Sequence, residues 1–262
     1  MREEDEKMRS LLRSFTTVTL AELSGNLQDR YDEKYLIPVA LYRELLGHLT
    51  TRYRVLDVEG VRDYQYISSY LDMPGFPFFM AHHNGKKDRY KVRYRRYVHS
   101  GRVYLEVKHK INKGKTLKKR MAVEKESERP QGEEISFLQE NTPFDPLLMS
   151  VVLQASFSRI TLAAPSGEER ITYDHNLLFR AGGREVPLPG FGVMEIKHSG
   201  RKHSSPMTDL LLRYGITPGA FSKYCTGIAL LYTGIKYNRF KPLILSLKKK
   251  NYVTVATNSG CC

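Results

Sequence analysis

The strongest constraint in this chain is a set of strand-like segments that carry charge on one parity and apolar side chains on the other. Side chains along a strand alternate between two faces. In residues 89–98 one face takes Tyr90, Val92, Tyr94 and Val98, and the other takes Arg89, Lys91, Arg93 and Arg95. Next along the chain, Val103, Leu105 and Val107 oppose Glu106, Lys108 and Lys110, and then Leu117, Met121 and Val123 oppose Lys118 and Arg120. The pattern returns with Ile171 and Tyr173 against Arg170 and Thr172, and with Met194 and Ile196 against Glu195 and Lys197. It is present near the start too, where Tyr31, Tyr35 and Ile37 oppose Arg30, Asp32 and Lys34.

An ordinary half-buried sheet has one apolar and one solvated face. The sign of the charge argues for more than that. Adjacent strands of a meander would set Arg93 and Arg95 beside Lys108 and Lys110, and these beside Lys118 and Arg120. Each like-charge pair costs roughly 0.2–1 kcal/mol, and natural surfaces usually intersperse signs. A polyanion relieves the repulsion through charge-assisted hydrogen bonds. If the sheet closes on itself, the charged faces line a tunnel and the apolar faces pack outward against helices.

Composition agrees. Lys plus Arg number 42 against 28 Asp plus Glu, a formal charge of +14, which points to an anionic partner. Hydrophobic residues at 41% exclude a disordered chain. Cys225, Cys261 and Cys262 form neither a disulfide framework nor a zinc site, and the terminal Cys pair has no companion lipidation signal. Residues 1–13 are too charged for a secretory signal, and the apolar runs at 147–153 and 227–231 are too short to span a bilayer. These features lead to the expectation of a cytoplasmic protein without a transmembrane segment, with the inner membrane face as a compatible peripheral location.

Along the chain, residues 1–13 read as a charged arm or short helix, 14–240 as one domain and 241–262 as a basic tail. Strands are expected at 32–37, 53–58, 64–71, 89–98, 103–111, 115–123, 155–162, 170–174, 177–180 and 192–198. Helices are expected at 38–49, in a proline-broken stretch at 135–153, and as a pair within 207–231. Many short strands with a few helices between them predict a barrel-like α+β domain.

Two lone acids lie on the charged parity, in the Glu-x-Lys patterns Glu106-x-Lys108 and Glu195-x-Lys197. Mg2+ or Mn2+ bound to phosphates needs only one or two carboxylates, so both are candidate metal ligands; pairing with neighbouring cations is the competing reading. Other motifs fail. Gly114-Lys115-Thr116 matches the end of a P-loop, but His109 stands where the first Gly is needed, between strands rather than before a helix. His82, His83, His198 and His203 lack zinc spacing, and Ser68-Ser69 has no base signature. Tyr90, Tyr94 and Tyr97 are split between the faces rather than forming a stacking platform, so no nucleic acid is expected.

A run of motifs in fixed order carries a family resemblance. These are Arg30-x-Asp32-x-Lys34-Tyr35, Arg93-x-Arg95-x-Tyr97, Glu106-x-Lys108, Lys118-x-Arg120, Phe157-x-Arg159, Arg170-Ile171-Thr172-Tyr173-Asp174, Glu195-x-Lys197 and Ser222-Lys223-Tyr224. Over residues 14–235 the chain resembles the polyphosphate polymerase domain of the vacuolar transporter chaperone complex, in its stand-alone prokaryotic form, within the triphosphate tunnel metalloenzyme superfamily. The resemblance implies an α+β fold built on an eight-stranded antiparallel tunnel. Lys34, Arg93, Arg95, Lys108, Lys118, Arg159, Arg170 and Lys223 would grip phosphates, with Lys197 beside them and Arg30, Arg120 and Ser222 completing the substrate contacts. Glu195 would hold Mn2+ or Mg2+. The implied activity is an ATP:polyphosphate phosphotransferase, with ATP and polyphosphate as partners and a product-exporting membrane protein as a further compatible one. A triphosphatase or nucleotide cyclase on the same tunnel, and a non-catalytic polyphosphate- or inositol-polyphosphate-binding module, are the alternatives. The sequence departs from the wider superfamily's Glu-x-Glu-x-Lys strand, having Arg30, Asp32 and Lys34, which suits the polymerase branch. It also has Ala220 where the family often has a basic residue.

Overall fold

The computed structural model describes residues 2–23, 30–112, 115–199 and 204–252. Of residues 2–5 and 30 it describes the backbone, so the Arg30 side chain lies outside the described residues, as do Gly114, His203, Cys261 and Cys262. In chain order the first elements are α1 (Arg2–Arg13), β1 (Thr17–Val18), α2 (Leu20–Leu23), β2 (Arg30–Pro38), α3 (Val39–Gly47), β3 (Arg54–Leu56), β4 (Asp63–Asp72) and α4 (Pro77–His83). The meander β5 (Arg89–Tyr97), β6 (Val103–Lys110) and β7 (Thr116–Val123) follows, then α5 (Glu133–Asn141). After it come β8 (Ser150–Ala163), β9 (Glu169–Ala181), β10 (Arg184–Leu188), β11 (Phe191–Ser199), α6 (Pro206–Arg213), α7 (Lys223–Leu231) and α8 (Lys241–Lys249). This is the expected α+β class, an antiparallel sheet flanked by helices.

The chain divides into two compact units. The first comprises Met1–Tyr64, Ser158–Asn176 and Gly190–Phe221. Here β11 lies between β2 and β9, antiparallel to both, and β3 joins β1 in parallel and β8 antiparallel. One face of these strands presents Tyr35, Ile37, Ile160, Leu162, Ile171, Tyr173, Met194 and Ile196 to a core completed from α1, α3 and α6. Tyr42, Leu45 and Leu46 supply the α3 stripe at helical spacing, and Met207 and Leu211 the α6 stripe. Ser205 caps α6 in a reciprocal box: its Oγ accepts from Thr208 N at 3.2 Å, and its own N donates to Thr208 Oγ1 at 2.7 Å. The charged segment at the start is helical, and its Met8 and Leu12 enter this core.

The second unit comprises Gln65–Phe157, Leu177–Pro189 and Ser222–Cys262. Its frame is the antiparallel run β4–β5–β6–β7, with β10 paired to β9. Val92, Tyr94, Leu105 and Val107 are buried on one face of the run, and Leu138 of α5 is buried as well. Among the described residues β7 pairs only with β6, and in the first unit β2 pairs only with β11, so hydrogen bonds do not close the sheet.

Some elements differ from expectation for local reasons. The apolar stretch expected as a broken helix to residue 153 ends at Asn141, and the chain is strand from Ser150. The two strands expected at 170–174 and 177–180 are one, β9, passing through Asn176 at φ 52°, a left-handed conformation that Asn tolerates better than most residues. The 184–188 segment, for which no strand is expected, pairs among the described residues only with β9, and such an edge accepts Pro187. Aromatic-rich Pro77–His83 is a helix, as is 241–249 of the basic tail, where Ile244 and Leu247 are buried. No helix among the described residues is long and apolar enough to cross a membrane.

Gly192 makes one close approach possible. A Cβ there would lie 2.5 Å from Tyr173 Cζ and 2.6 Å from the Asp174 carbonyl oxygen. The ring cannot yield easily, because it stacks on Tyr42 with centroids 3.6 Å apart and its hydroxyl donates to Ile37 O at 3.2 Å. Gly192→Ala should destabilise the protein by about 1–3 kcal/mol, the usual range for overpacking. Thermal unfolding followed by circular dichroism checks this, and an unchanged midpoint contradicts it.

Candidate anion-binding site

In the second unit, strand register decides which cations meet. Tyr70 lies opposite Arg93, Arg93 opposite Glu106, and Glu106 opposite Arg120, one row across four strands. A parallel row sets Lys91 beside Lys108 and Lys108 beside Lys118. Arg95 lies between Ser68 and Tyr104. The expected pairing of Arg93 and Arg95 with Lys108 and Lys110 is thus replaced by one in which Glu106 interrupts the arginines. The hairpin between β5 and β6 fixes this register, with Tyr97 N donating to Arg102 O at 2.9 Å.

Glu106 is the centre of the row. Its Oε2 accepts from Arg93 Nε at 2.8 Å and Nη2 at 2.6 Å, and Arg95 Nε lies 3.9 Å from the same oxygen. Burial alone would raise the Glu106 carboxyl, but Arg93 and Arg95 outweigh it and hold the group below its ordinary value. Aromatic rings back the guanidiniums: Arg93 sits 5.9 Å from the Tyr70 ring centroid, Arg95 5.7 Å from Tyr66, and Arg120 4.9 Å from Tyr104. Arg93 and Arg95 are half-buried, whereas Lys108, Lys118 and Arg120 are exposed. The basic face of this unit is therefore sheltered at β5 and open to water towards β7.

Helix α7 adds to this unit. Its cap, Ser222, accepts from Cys225 N at 3.3 Å, and Lys91 Nζ donates to the same hydroxyl at 3.0 Å. Lys223 Nζ stands 4.3 Å from the Phe157 ring centroid. Asp72 anchors the helix: it accepts from the Tyr224 hydroxyl, from Met73 N at 2.9 Å and from Phe78 N and Phe79 N at 3.1 Å each. The Asp72 carboxylate thereby also supplies the partners that the α4 N-terminus would otherwise lack. A separate cavity of about 690 Å³ is lined by Glu126, Gln154, Arg180 and Tyr232 among others and lacks the basic rows.

In the first unit the charged face is a smaller lattice. Lys34, Glu195 and Thr172 form one cross-strand row, and Asp32, Lys197 and Arg170 the next. Glu195 Oε1 is shared by Lys197 Nζ at 2.9 Å and Lys34 Nζ at 3.1 Å. Arg159 donates to both oxygens of Asp174, at 2.5 and 2.7 Å, and Arg170 Nη2 donates to Leu23 O. Burial would raise Glu195, yet Lys197 and Lys34 hold its carboxyl well below the usual carboxylate range. Burial also lowers the Lys197 ammonium, with Glu195 opposing and Arg159 assisting.

The expected site residues thus fall into two sets, each within its own unit. Arg93, Arg95, Glu106, Lys108, Lys118, Arg120, Ser222 and Lys223 belong to the second, and Lys34, Arg159, Arg170, Glu195 and Lys197 to the first. The sequence places Lys91 and Thr172 on the charged parity without marking them as candidate contacts, and it carries no signal for Tyr70, Asp72 or Asp174 as partners. It also missed Ser68, buried opposite Arg95, and, like Ser68, Thr172 has a hydroxyl without a hydrogen-bond partner among the described residues.

For a divalent cation, no group of three or more His, Cys, Asp or Glu residues occurs among the described residues. Glu195 and Glu106 are single carboxylates, each engaged by two cations. Such a set suits an ion that brings most of its ligands on phosphate oxygens rather than a resident ion held by the protein alone.

A provisionally assigned adenylate cyclase from Bacillus halodurans shares the fold at a TM-score of 0.52 and 14% identity, over 79% of this chain and 98% of that one. Looser likenesses include a provisionally assigned adenylyl cyclase from Hippeastrum with a dominant triphosphatase activity (TM-score 0.47, 11% identity, 80% and 100% coverage). No curated protein matches the chain in sequence. The VTC domain profile matches residues 29–232, and the chain belongs to the VTC domain family.

Glu195 gives a pH-dependent signature. Its folded-state pKa lies below the unfolded value, so the ionised form favours folding. That contribution is complete above the unfolded carboxylate pKa of about 4.3 and is lost as pH falls through the lower folded value. Glu195→Gln should therefore lose most stability near neutrality, with the gap to the parent closing in acid. Urea unfolding at about pH 7 and about pH 3 measures this, and a gap of equal size at both contradicts it.

Proposed function

We propose that the protein is a polyphosphate polymerase that transfers the γ-phosphoryl group of ATP to the end of a growing polyphosphate chain. The observation that carries this reading is the gathering of basic side chains from separate strands onto one face within each unit: Lys91, Arg93, Arg95, Lys108, Lys118 and Arg120 in one, Lys34, Arg159, Arg170 and Lys197 in the other. Membership of the VTC domain family supports it.

In this reading a terminal phosphate oxygen of the acceptor attacks the γ-phosphorus, the bond to the β-phosphate oxygen breaks, and ADP departs while the polymer grows by one unit. The chemistry needs no covalent enzyme intermediate. Positioning and charge neutralisation are nearly all that phosphoryl transfer demands of a protein. Arg93, Arg95, Lys108 and Lys118 would orient the phosphates in the second unit, and Ser222 and Lys223 would add contacts from the α7 start, where backbone N–H groups suit an anion. Lys34, Lys197, Arg159 and Arg170 would do the same in the first unit. Glu195 would hold a Mn2+ or Mg2+ ion delivered with the phosphates, whose charge draws off density from the phosphoryl oxygens. Asp32 and Lys34 on β2, in place of a two-glutamate strand, favour transfer over simple metal-dependent triphosphate hydrolysis.

Incubation with ATP and Mn2+ should give a ladder of long polyphosphate on a stained gel, with ADP in equal amount to the phosphate incorporated. Arg93→Ala should slow the reaction by about 10²–10³-fold, the scale for loss of one charge-stabilising donor. Orthophosphate as the sole product would identify a triphosphatase, cyclic nucleotide with pyrophosphate a cyclase, and salt-dependent binding without turnover a sensor. Any of the three defeats the polymerase reading.

A further inference from the structure

We propose that Glu106 is a built-in competitor for the phosphate chain, holding the guanidiniums of the second unit whenever a phosphate is not there; this rests on the anion-binding reading of that face. The geometry is that of a stand-in. One carboxylate oxygen, Oε2, takes two hydrogen bonds from Arg93, at 2.8 and 2.6 Å, and has Arg95 Nε at 3.9 Å. An oxygen shared between two arginines is what a bound phosphate oxygen would be in the same place. The register also sets Arg120 opposite Glu106, so three guanidiniums from the two flanking strands, β5 and β7, face one negative charge on β6.

Of the two readings of Glu106, metal ligand or partner of neighbouring cations, the contacts in the structure are those of the second: Arg93 and Arg95 engage the carboxylate, and a metal ion would have to displace them. The side chain does answer another need. Arg93 and Arg95 are half-buried on neighbouring rows of one strand, and without a counter-charge they would repel each other with less water than at the surface to screen them.

The exchange has a consequence for a polymer. A phosphate entering the row displaces the carboxylate and inherits its hydrogen bonds, and a phosphate leaving is replaced by the carboxylate swinging back. Neither step strands a bare cation, so the barrier to moving the chain by one unit is small. Glu106 is thus a positioning residue that trades tightness of grip for speed of release. Its own negative charge opposes the bound phosphates, and removing it should tighten binding.

Titration calorimetry with inorganic tripolyphosphate, without metal and at fixed ionic strength, tests this on the full chain. Glu106→Gln keeps the shape and removes the charge, and should bind roughly tenfold more tightly than the parent. In the polymerase assay its KM for the polyphosphate acceptor should fall together with kcat, a split that mere loosening of the fold does not produce. The Mn2+ concentration for half-maximal rate should be unchanged. Should Glu106→Gln fold poorly, Glu106→Ala carries the same expectation for tripolyphosphate. Equal or weaker binding by a folded variant, or a raised Mn2+ requirement, overturns the proposal while leaving the anion site intact. Failure of the parent itself to bind tripolyphosphate overturns both.

Discussion

Cations that repel one another can share one face of a sheet only when the opposite face holds the strands together. In the β4–β7 run, β5 and β6, which carry Lys91, Arg93, Arg95 and Lys108, also bury Val92, Tyr94, Leu105 and Val107, whereas β7, which carries Lys118 and Arg120, buries no residue and is held by its ladder to β6. A like-charge pair across strands costs roughly 0.2–1 kcal/mol, whereas each fully buried large apolar side chain contributes about 1.5–3 kcal/mol. The apolar face therefore wins, and the backbone ladder carries the charged face along with it. The same division holds in the first unit, where Ile171, Tyr173, Met194 and Ile196 lie behind Arg170, Thr172, Glu195 and Lys197.

Carboxylates do the remaining work of keeping that face in order. Each unit interleaves acids among its bases: Glu106 with Arg93 and Arg95 in one, Glu195 with Lys34 and Lys197, and Asp174 with Arg159, in the other. Charges removed from water are tolerated when paired and hydrogen-bonded, and costly when left alone. These acids set the positions of the basic side chains on each face. Asp72 works one step further back, since by accepting from Tyr224 and from three backbone amides it fixes the helix that presents Ser222 and Lys223.

The chain has a formal charge of +14, belongs to the VTC domain family and draws its cations onto single faces, and under the proposed function those faces would receive a phosphate chain. Shelter around Arg93 and Arg95 with exposure at Lys108, Lys118 and Arg120 grades the environment along the meander. Water screens charge at the open edge and less at the sheltered end, so a charge on the face is felt more strongly at β5 than at β7.

The faces were legible in sequence because alternation is a local property of a strand: the parity of Arg93, Lys108, Lys118, Arg170, Glu195 and Lys34 follows from counting by two, whatever the strand pairs with. Helix α3 and the strands on either side of residue 100 could be read for the same reason, from short-range spacing and turn residues. Register was not legible. It depends on how each hairpin closes, and a shift of two residues preserves every parity while changing every neighbour, which is why Glu106 rather than a lysine faces Arg93. Nor could sequence show that Asp174 would take Arg159 or that Asp72 would hold Tyr224, 152 positions away. Those contacts exist only once distant segments pack, because a buried carboxylate selects its donors by proximity in space and not by distance along the chain.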